Sequence, residues 1–187
     1  MTTEANLLTL SDYAALDEPE NEHLTELVGG VVVREPRPGR PHGRLQARLA
    51  YHLESWAAEH GAEVTVESGY VLSEEPATVR GPDVAVVLDP RSAVDHPSGW
   101  LRGAPDVAAE ILSPHDTSSA IRRKTVEYLE AGARLVWLGD PEARSVLVHR
   151  PDGSANLLRQ SDTLRGEDVL TGFSLELAEL FEGRQAT

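Results

Sequence analysis

Cysteine is missing from all 187 residues of the chain. That absence excludes a disulfide framework, a thiol nucleophile and any cysteine-ligated zinc or iron–sulfur site. Long apolar runs are missing as well: none approaches the roughly 18 residues that a membrane span needs. The opening MTTEANLLTLSDYAAL lacks both the basic start and the apolar core of a secretory signal. The expectation is a soluble, cytoplasmic protein with no membrane partner. Lysine is almost missing: of 17 basic residues, Lys124 alone is Lys and the rest are Arg. The bias itself carries no mechanism. A compact ammonium, however, can be buried, tuned or aimed at a water in ways that a guanidinium fork cannot, so the place of this one lysine matters. The sequence also has no GxxxxGK[ST] phosphate loop, no GxSxG elbow and no HExxH zinc helix. Its seven histidines follow no metal-ligand spacing. Ser113-Pro114-His115-Asp116 gathers Ser, His and Asp as neighbours, but triads are assembled in space, and the segment reads as a turn and cap before a helix.

What is present describes one ordinary globular domain spanning 1–187, its core at about 10–180, with 40% hydrophobic and 26% charged residues. The formal net charge is −14, which weighs against a general nucleic-acid binder, because grip on phosphates comes from Lys and Arg displacing counterions. The charge is unevenly spread. Residues 36–50 hold Arg37, Arg40, Arg44 and Arg48 and no acid at all, and Arg122, Arg123 and Lys124 form a second small cluster. A basic rim on an acidic body is one reading; solvated surface arginines are the other.

Along the chain, a short helix is expected near Thr9–Leu16, capped by Ser11 or Asp12. HLTELVGGVVVRE reads as a hairpin about Gly29-Gly30, and PRPGRPHG as loop punctuation. From Arg44 to His60, Leu45, Leu49, His52, Leu53 and Trp56 recur on one helical face. EVTVESGYVL reads as strand, turn, strand. Gly81-Pro82-Asp83 opens an apolar strand, VAVVLDP, and a Pro/Gly/Ser-rich loop covers 89–105. A second apolar strand, Asp106–Leu112, leads into a helix over Asp116–Ala131 that stops at Gly132. Leu135–Leu138 and Ser145–His149 make a second hairpin. Short strands and a helix near Leu175–Phe181 close the chain. Continuous apolar strands mean a sheet covered on both faces, so the expected class is α/β, a mixed central sheet flanked by helices.

The informative residues break this pattern. Glu110 stands inside DVAAEIL, where a strand covered on both faces offers no solvent, and an unpaired buried carboxylate costs several kcal/mol. It requires a cation, a metal or strong donors. Asp83 opens the neighbouring apolar strand at a sheet end, and two carboxylates on adjacent strands suit a hard ion such as Mg²⁺. On a wheel of the 116–131 helix, Lys124 falls in the apolar arc between Ala131 and Tyr128, aimed at the sheet and at Glu110, while Arg123, Glu127 and Glu130 fall on the polar side. Glu26 alternates with Leu24 in the first hairpin and could equally face solvent.

Taken in order, Gly81-Pro82-Asp83, Ala109-Glu110-Ile111-Leu112-Ser113-Pro114, Lys124, Tyr128, Gly132 and Val136-Trp137-Leu138 resemble the Uma-two family. Those are restriction-endonuclease-like proteins of the PD-(D/E)XK nuclease superfamily. Glu26-Leu27-Val28-Gly29-Gly30 and His42 are similar to that family's hairpin and following loop, and the resemblance covers roughly residues 10–180. It implies a restriction-endonuclease-like fold and Mg²⁺-dependent (or Mn²⁺-dependent) hydrolysis of DNA. Asp83 matches the PD aspartate and Glu110 the (D/E) position. Leu112 stands where the superfamily motif has Lys, and the resemblance implies that Lys124 replaces it from the following helix. In this reading Asp83 and Glu110, with the Ile111 carbonyl, hold the metal. Lys124 orients the water or stabilises developing charge, and Glu26 is a further ligand or base. His42, Arg40 and Arg44 contact phosphate. A homodimer is the expectation for an enzyme that cuts both strands. The rival from another class is a catalytically silent binding domain that keeps the fold.

Overall fold

The computed structural model describes residues 7–16, 23–90 and 99–182. The first hairpin forms where its turn chemistry puts it. Strands β1 (His23–Val28) and β2 (Val31–Pro36) pair antiparallel with Val28 opposite Val31. The two turn glycines take φ +57° and +78°, angles that suit a tight two-residue hairpin and are costly for a residue with a Cβ. Ahead of it lies helix α1 (Leu10–Ala14), two residues shorter than expected at its end. Thr9 is the cap in place of Ser11 or Asp12, and Asp12 completes a reciprocal capping box with it.

Helix α2 (Arg40–His60) starts four residues before Arg44. Pro41 is tolerated in the first turn because the N–H it lacks has no helical partner there anyway. The outcome moves His42 from loop to helix. Downstream come β3 (Glu63–Thr65), β4 (Tyr70–Glu74), β5 (Ala77–Arg80), β6 (Val84–Val87), β7 (Leu101–Arg102) and β8 (Val107–Ile111). Strand β5 has no counterpart in the sequence reading. Residues 91–98 of the expected 89–105 loop lie outside the described residues. Helix α3 (Ser118–Glu130) is capped by Thr117, whose side chain accepts from the Ala120 N–H, so it begins two residues after Asp116. Asp116 instead closes the preceding turn by accepting from the Ser113 N–H. The second hairpin is β9 (Leu135–Asp140) with β10 (Ser145–His149), followed by β11 (Ala155–Arg159), β12 (Thr163–Arg165), β13 (Ser174–Glu176) and α4 (Leu177–Glu182).

The fold is mixed α/β. A six-stranded central sheet runs β11-β10-β9-β8-β6-β3, with β8 and β9 parallel, joined through α3, and its other neighbours antiparallel. Helix α2 covers one face: Leu45, Leu49 and Leu53 pack with Val86, Ala109, Ile111 and Trp137. Helix α3 covers the other, where Tyr128 packs with Ala108, Val136 and Leu138. A second sheet, β2-β1-β5-β4-β7, holds the first hairpin. EVTVESGYVL is therefore divided, β3 going to the central sheet and β4 to the second. The chain passes from one sheet to the other across Gly81–Asp83, between β5 and β6.

Candidate active site

Asp83 and Glu110 meet because of register. β6 and β8 are antiparallel with Val84 opposite Ala109, so Asp83, the residue just before β6, lies beside the Glu110–Ile111 end of β8. The link is direct: the Ile111 N–H donates to Asp83 Oδ2 at 2.6 Å. His42, on the first turn of α2, brings Nε2 to 3.2 Å from the same oxygen. Burial pulls the His42 pKa down, but the hydrogen bond and charge of Asp83 outweigh it and the net shift is upward. His42 Nδ1 is buried with no partner among the described residues. Behind this pair, buried Gln46 donates to Glu67 Oε1 at 3.0 Å and to the Asp83 carbonyl at 3.1 Å, fixing the turn from which Asp83 projects.

Glu110 lies under α3 with its side chain 13% exposed. Lys124 Nζ stands 3.0 Å from its Oε2, and the Tyr128 hydroxyl donates to its Oε1 at 2.8 Å. Lys124 and Tyr128 are four residues apart and so share one helix face. Burial pushes the Glu110 pKa up to about 8, against the pull of Lys124 and with the push of Asp83 and Glu26. Lys124 shifts upward as well: burial disfavours the ammonium, but Glu110, Glu26 and Glu35 together more than compensate. That upward direction favours the charged ammonium at neutral pH.

Glu26 is the main departure from the sequence pattern. It is buried, at 6% exposure, and does not face solvent. Its Oε1 accepts from the Gly81 N–H at 3.0 Å and lies 3.1 Å from Lys124 Nζ. Its Oε2 accepts from Arg80 Nη1 at 2.6 Å. Burial opposes its ionisation, yet Lys124, Arg80 and the Gly81 N–H hold its pKa below the usual value. Arg80 is equally buried and donates from Nε and Nη2 to Glu127 Oε2 at 2.8 and 2.5 Å. Glu127 is thus half-buried in this cluster instead of lying on a solvated polar face. Sequence reasoning missed Arg80, Gln46, Glu67 and the hydrogen-bonding role of Tyr128. The available signals were faint: a glutamine beside the buried leucines of α2, and an arginine directly before Gly-Pro-Asp.

Arg40 and Arg44 are exposed on the first turns of α2, and neither forms an ion pair among the described residues. Arg48, in the same acid-free stretch, donates to the carbonyls of Leu180, Phe181 and Glu182. It closes the end of α4 and is taken out of any basic rim. Lys124 is withdrawn from its cluster in the same way, leaving Arg122 and Arg123 exposed.

The donor set fits a divalent cation of the hard class. Asp83 and Glu110 offer oxygens from adjacent strands. The carboxylates of Glu26, Glu35, Asp83, Glu110 and Glu127 outnumber the cations Arg80 and Lys124 around them. Among the described residues no three His, Asp or Glu side chains converge as a metal-holding group.

A mixed sheet between helices, with an acidic pair on adjacent strands and a lysine across it, defines a nuclease-like α/β protein. The sequence model of the Uma2 family, described as "Putative restriction endonuclease", matches residues 10–178, and the chain belongs to that family. In fold it is similar to the crystal structure of "a putative nuclease belonging to DUF820" from Anabaena variabilis ATCC 29413. The TM-score is 0.79 at 22% identity, covering 94% of this chain and 98% of that one. No curated protein matches the chain. No described helix is long and apolar enough to cross a membrane.

Proposed function

We propose that this protein is a metal-dependent endonuclease that hydrolyses phosphodiester bonds in DNA, with Mg²⁺ or Mn²⁺ held by Asp83 and Glu110. One observation carries the reading: Lys124, the only lysine, crosses from α3 to stand 3.0 Å from Glu110. A cation is thereby placed beside the acidic pair although Leu112 occupies the motif position two after Glu110. The bound ion would polarise the phosphate and lower the pKa of a water. Lys124, charged throughout, neutralises negative charge that develops on the phosphate. The Ile111 N–H and His42 hold Asp83 in place, and Tyr128 holds Glu110. The exposed Arg40 and Arg44, on the same end of α2 as His42, meet the phosphates flanking the scissile bond. Glu26, held by Arg80 and the Gly81 N–H, anchors Lys124. Cutting both strands of a duplex calls for a second copy of the chain.

The test is cleavage of supercoiled plasmid and single-stranded DNA at low salt with Mg²⁺ or Mn²⁺. The wild-type protein is expected to cut and EDTA to stop it. Lys124→Ala and Asp83→Asn are expected to be inactive. A second reading, a silent binding domain, is favoured by the internal engagement of both Glu110 oxygens. It predicts no cutting, with or without a Mn²⁺-induced rise in Tm.

A further inference from the structure

Lysine has a long, flexible stem, and a single ion pair with Glu110 does not explain why the Lys124 ammonium stays in place. Four alternating charges provide the rest. Lys124 reaches Glu26 at 3.1 Å, Glu26 reaches Arg80 at 2.6 Å, and Arg80 reaches Glu127 at 2.5 Å. Glu127 lies three residues from Lys124 on α3, so the backbone of one helical turn closes the ring. Two members belong to α3 and two to the second sheet, on β1 and β5. The ring therefore locks the rotation and register of α3 against that sheet while Lys124 faces Glu110 in the central one. Arg80 is the member that cannot be exchanged. Its planar fork serves both carboxylates at once, donating from Nη1 to Glu26 and from Nε and Nη2 to Glu127, a geometry that an ammonium lacks. It also ends β5 three residues before Asp83, and the Gly81 N–H next to it completes the hold on Glu26.

We propose that Arg80 is the positioning residue of the site: through Glu26 and Glu127 it fixes α3 so that the Lys124 ammonium stands at Glu110. At 5% exposure it is out of reach of a substrate and acts only through Lys124. The proposal rests on the nuclease reading for its purpose, but its geometry can be tested without cleavage.

Because the chain has one lysine, selective ¹⁵N- and ¹³C-lysine labelling gives a side-chain spectrum that belongs to Lys124 alone. The wild-type protein is expected to show one ammonium signal protected from rapid exchange. In Arg80→Met, checked for native fold by its backbone spectrum, that signal is expected to shift and lose its protection. Glu127→Ala, which removes the more exposed corner of the ring, is expected to do the same to a smaller degree and serves if Arg80→Met does not fold. Where cleavage is measurable, Arg80→Met is expected to lower kcat about 10²-fold with KM within about twofold. A purely structural role would reduce the folded fraction and leave kcat per folded molecule alone. An unmoved Lys124 signal in either folded variant overturns the proposal, whatever happens to cleavage. A moved signal in a protein that cuts no DNA upholds the positioning role and removes the nuclease reading.

Discussion

The two faces of β8 are buried to similar depth and use that burial in opposite ways. On the α2 side, Ala109 and Ile111 join Leu45, Leu49, Leu53 and Trp137 in an apolar cluster. There each side chain is satisfied by any neighbour of suitable shape. On the α3 side, Glu110 sits among Lys124, Tyr128, Asp83 and, one residue further out, Glu26. There each group is satisfied only by particular partners at hydrogen-bond distance, because an unpaired charge in that place is far costlier than a missing methyl. One face specifies volume and the other specifies identity. The apolar face therefore tolerates change gradually, and the polar face fails at single substitutions.

The largest expected effect is on activity. Lys124→Ala is expected to lower the rate of metal-dependent DNA cleavage about 10³-fold, the scale seen when one preorganised group facing developing charge is removed. Leu53→Ala, on the opposite face, is expected to leave the rate per folded molecule unchanged. Plasmid-nicking rates normalised to folded protein compare the two directly. Equal losses would mean that the two faces are not functionally separate.

On stability the faces should come closer together. Glu26→Ala takes from Arg80 and Lys124 the buried carboxylate they share and is expected to cost about 3–5 kcal/mol. Leu53→Ala opens a cavity under a fully buried side chain and is expected to cost about 2–5 kcal/mol. Urea denaturation gives both numbers. Acid separates them. The Glu26 pKa is held below its ordinary 4.5 in the folded state, so its contribution is fully present above that pH and is lost as pH falls through the folded value. The stability gap between wild type and Glu26→Gln is expected to close across that acid window, while the gap for Leu53→Ala stays constant in pH. A Glu26→Gln gap that stayed constant would mean that the Glu26 charge does not carry the difference.

This comparison also explains what could be read from the sequence. Glu110 and Lys124 were legible because each is a single polar exception inside a strong apolar period, and periodicity alone decides which way such a residue points. Glu26 was not. Alternation along β1 separates two faces but does not say which is covered, and here the answer depends on α3 arriving a hundred residues later. Arg80 was hidden for a similar reason: Ala77–Arg80 is too short a strand to announce itself, and its place beside Glu26 depends on pairing of β5 with β1, about fifty residues earlier in the chain. His42 was misplaced because Pro41 and Gly43 resemble loop punctuation, although a proline in a first helical turn costs no hydrogen bond. The mixed α/β class followed from strand hydrophobicity, a local property. Division into two sheets depends on which strands pair, which is not local.

The smallest expected effect isolates burial from distance. Arg150 and Glu167 form an ion pair by Nη2–Oε1 at 2.5 Å and Nε–Oε2 at 2.8 Å, as short as the 2.6 Å between Arg80 and Glu26. Their side chains are 23% and 30% exposed, against 6% and 7% for the buried pair. Water already solvates both partners, so removing one leaves the other with an alternative. Arg150→Ala is expected to cost no more than about 1 kcal/mol. Even that difference should shrink in 1 M salt, where charges are screened within about 3 Å. Glu26→Ala should keep most of its cost in the same salt, because little solvent reaches the cluster. Thermal denaturation of both variants at low and high salt makes the measurement. If the two losses fell together, the geometry of the pairs rather than their surroundings would govern their worth, and the distinction between the two faces of β8 would fail with it.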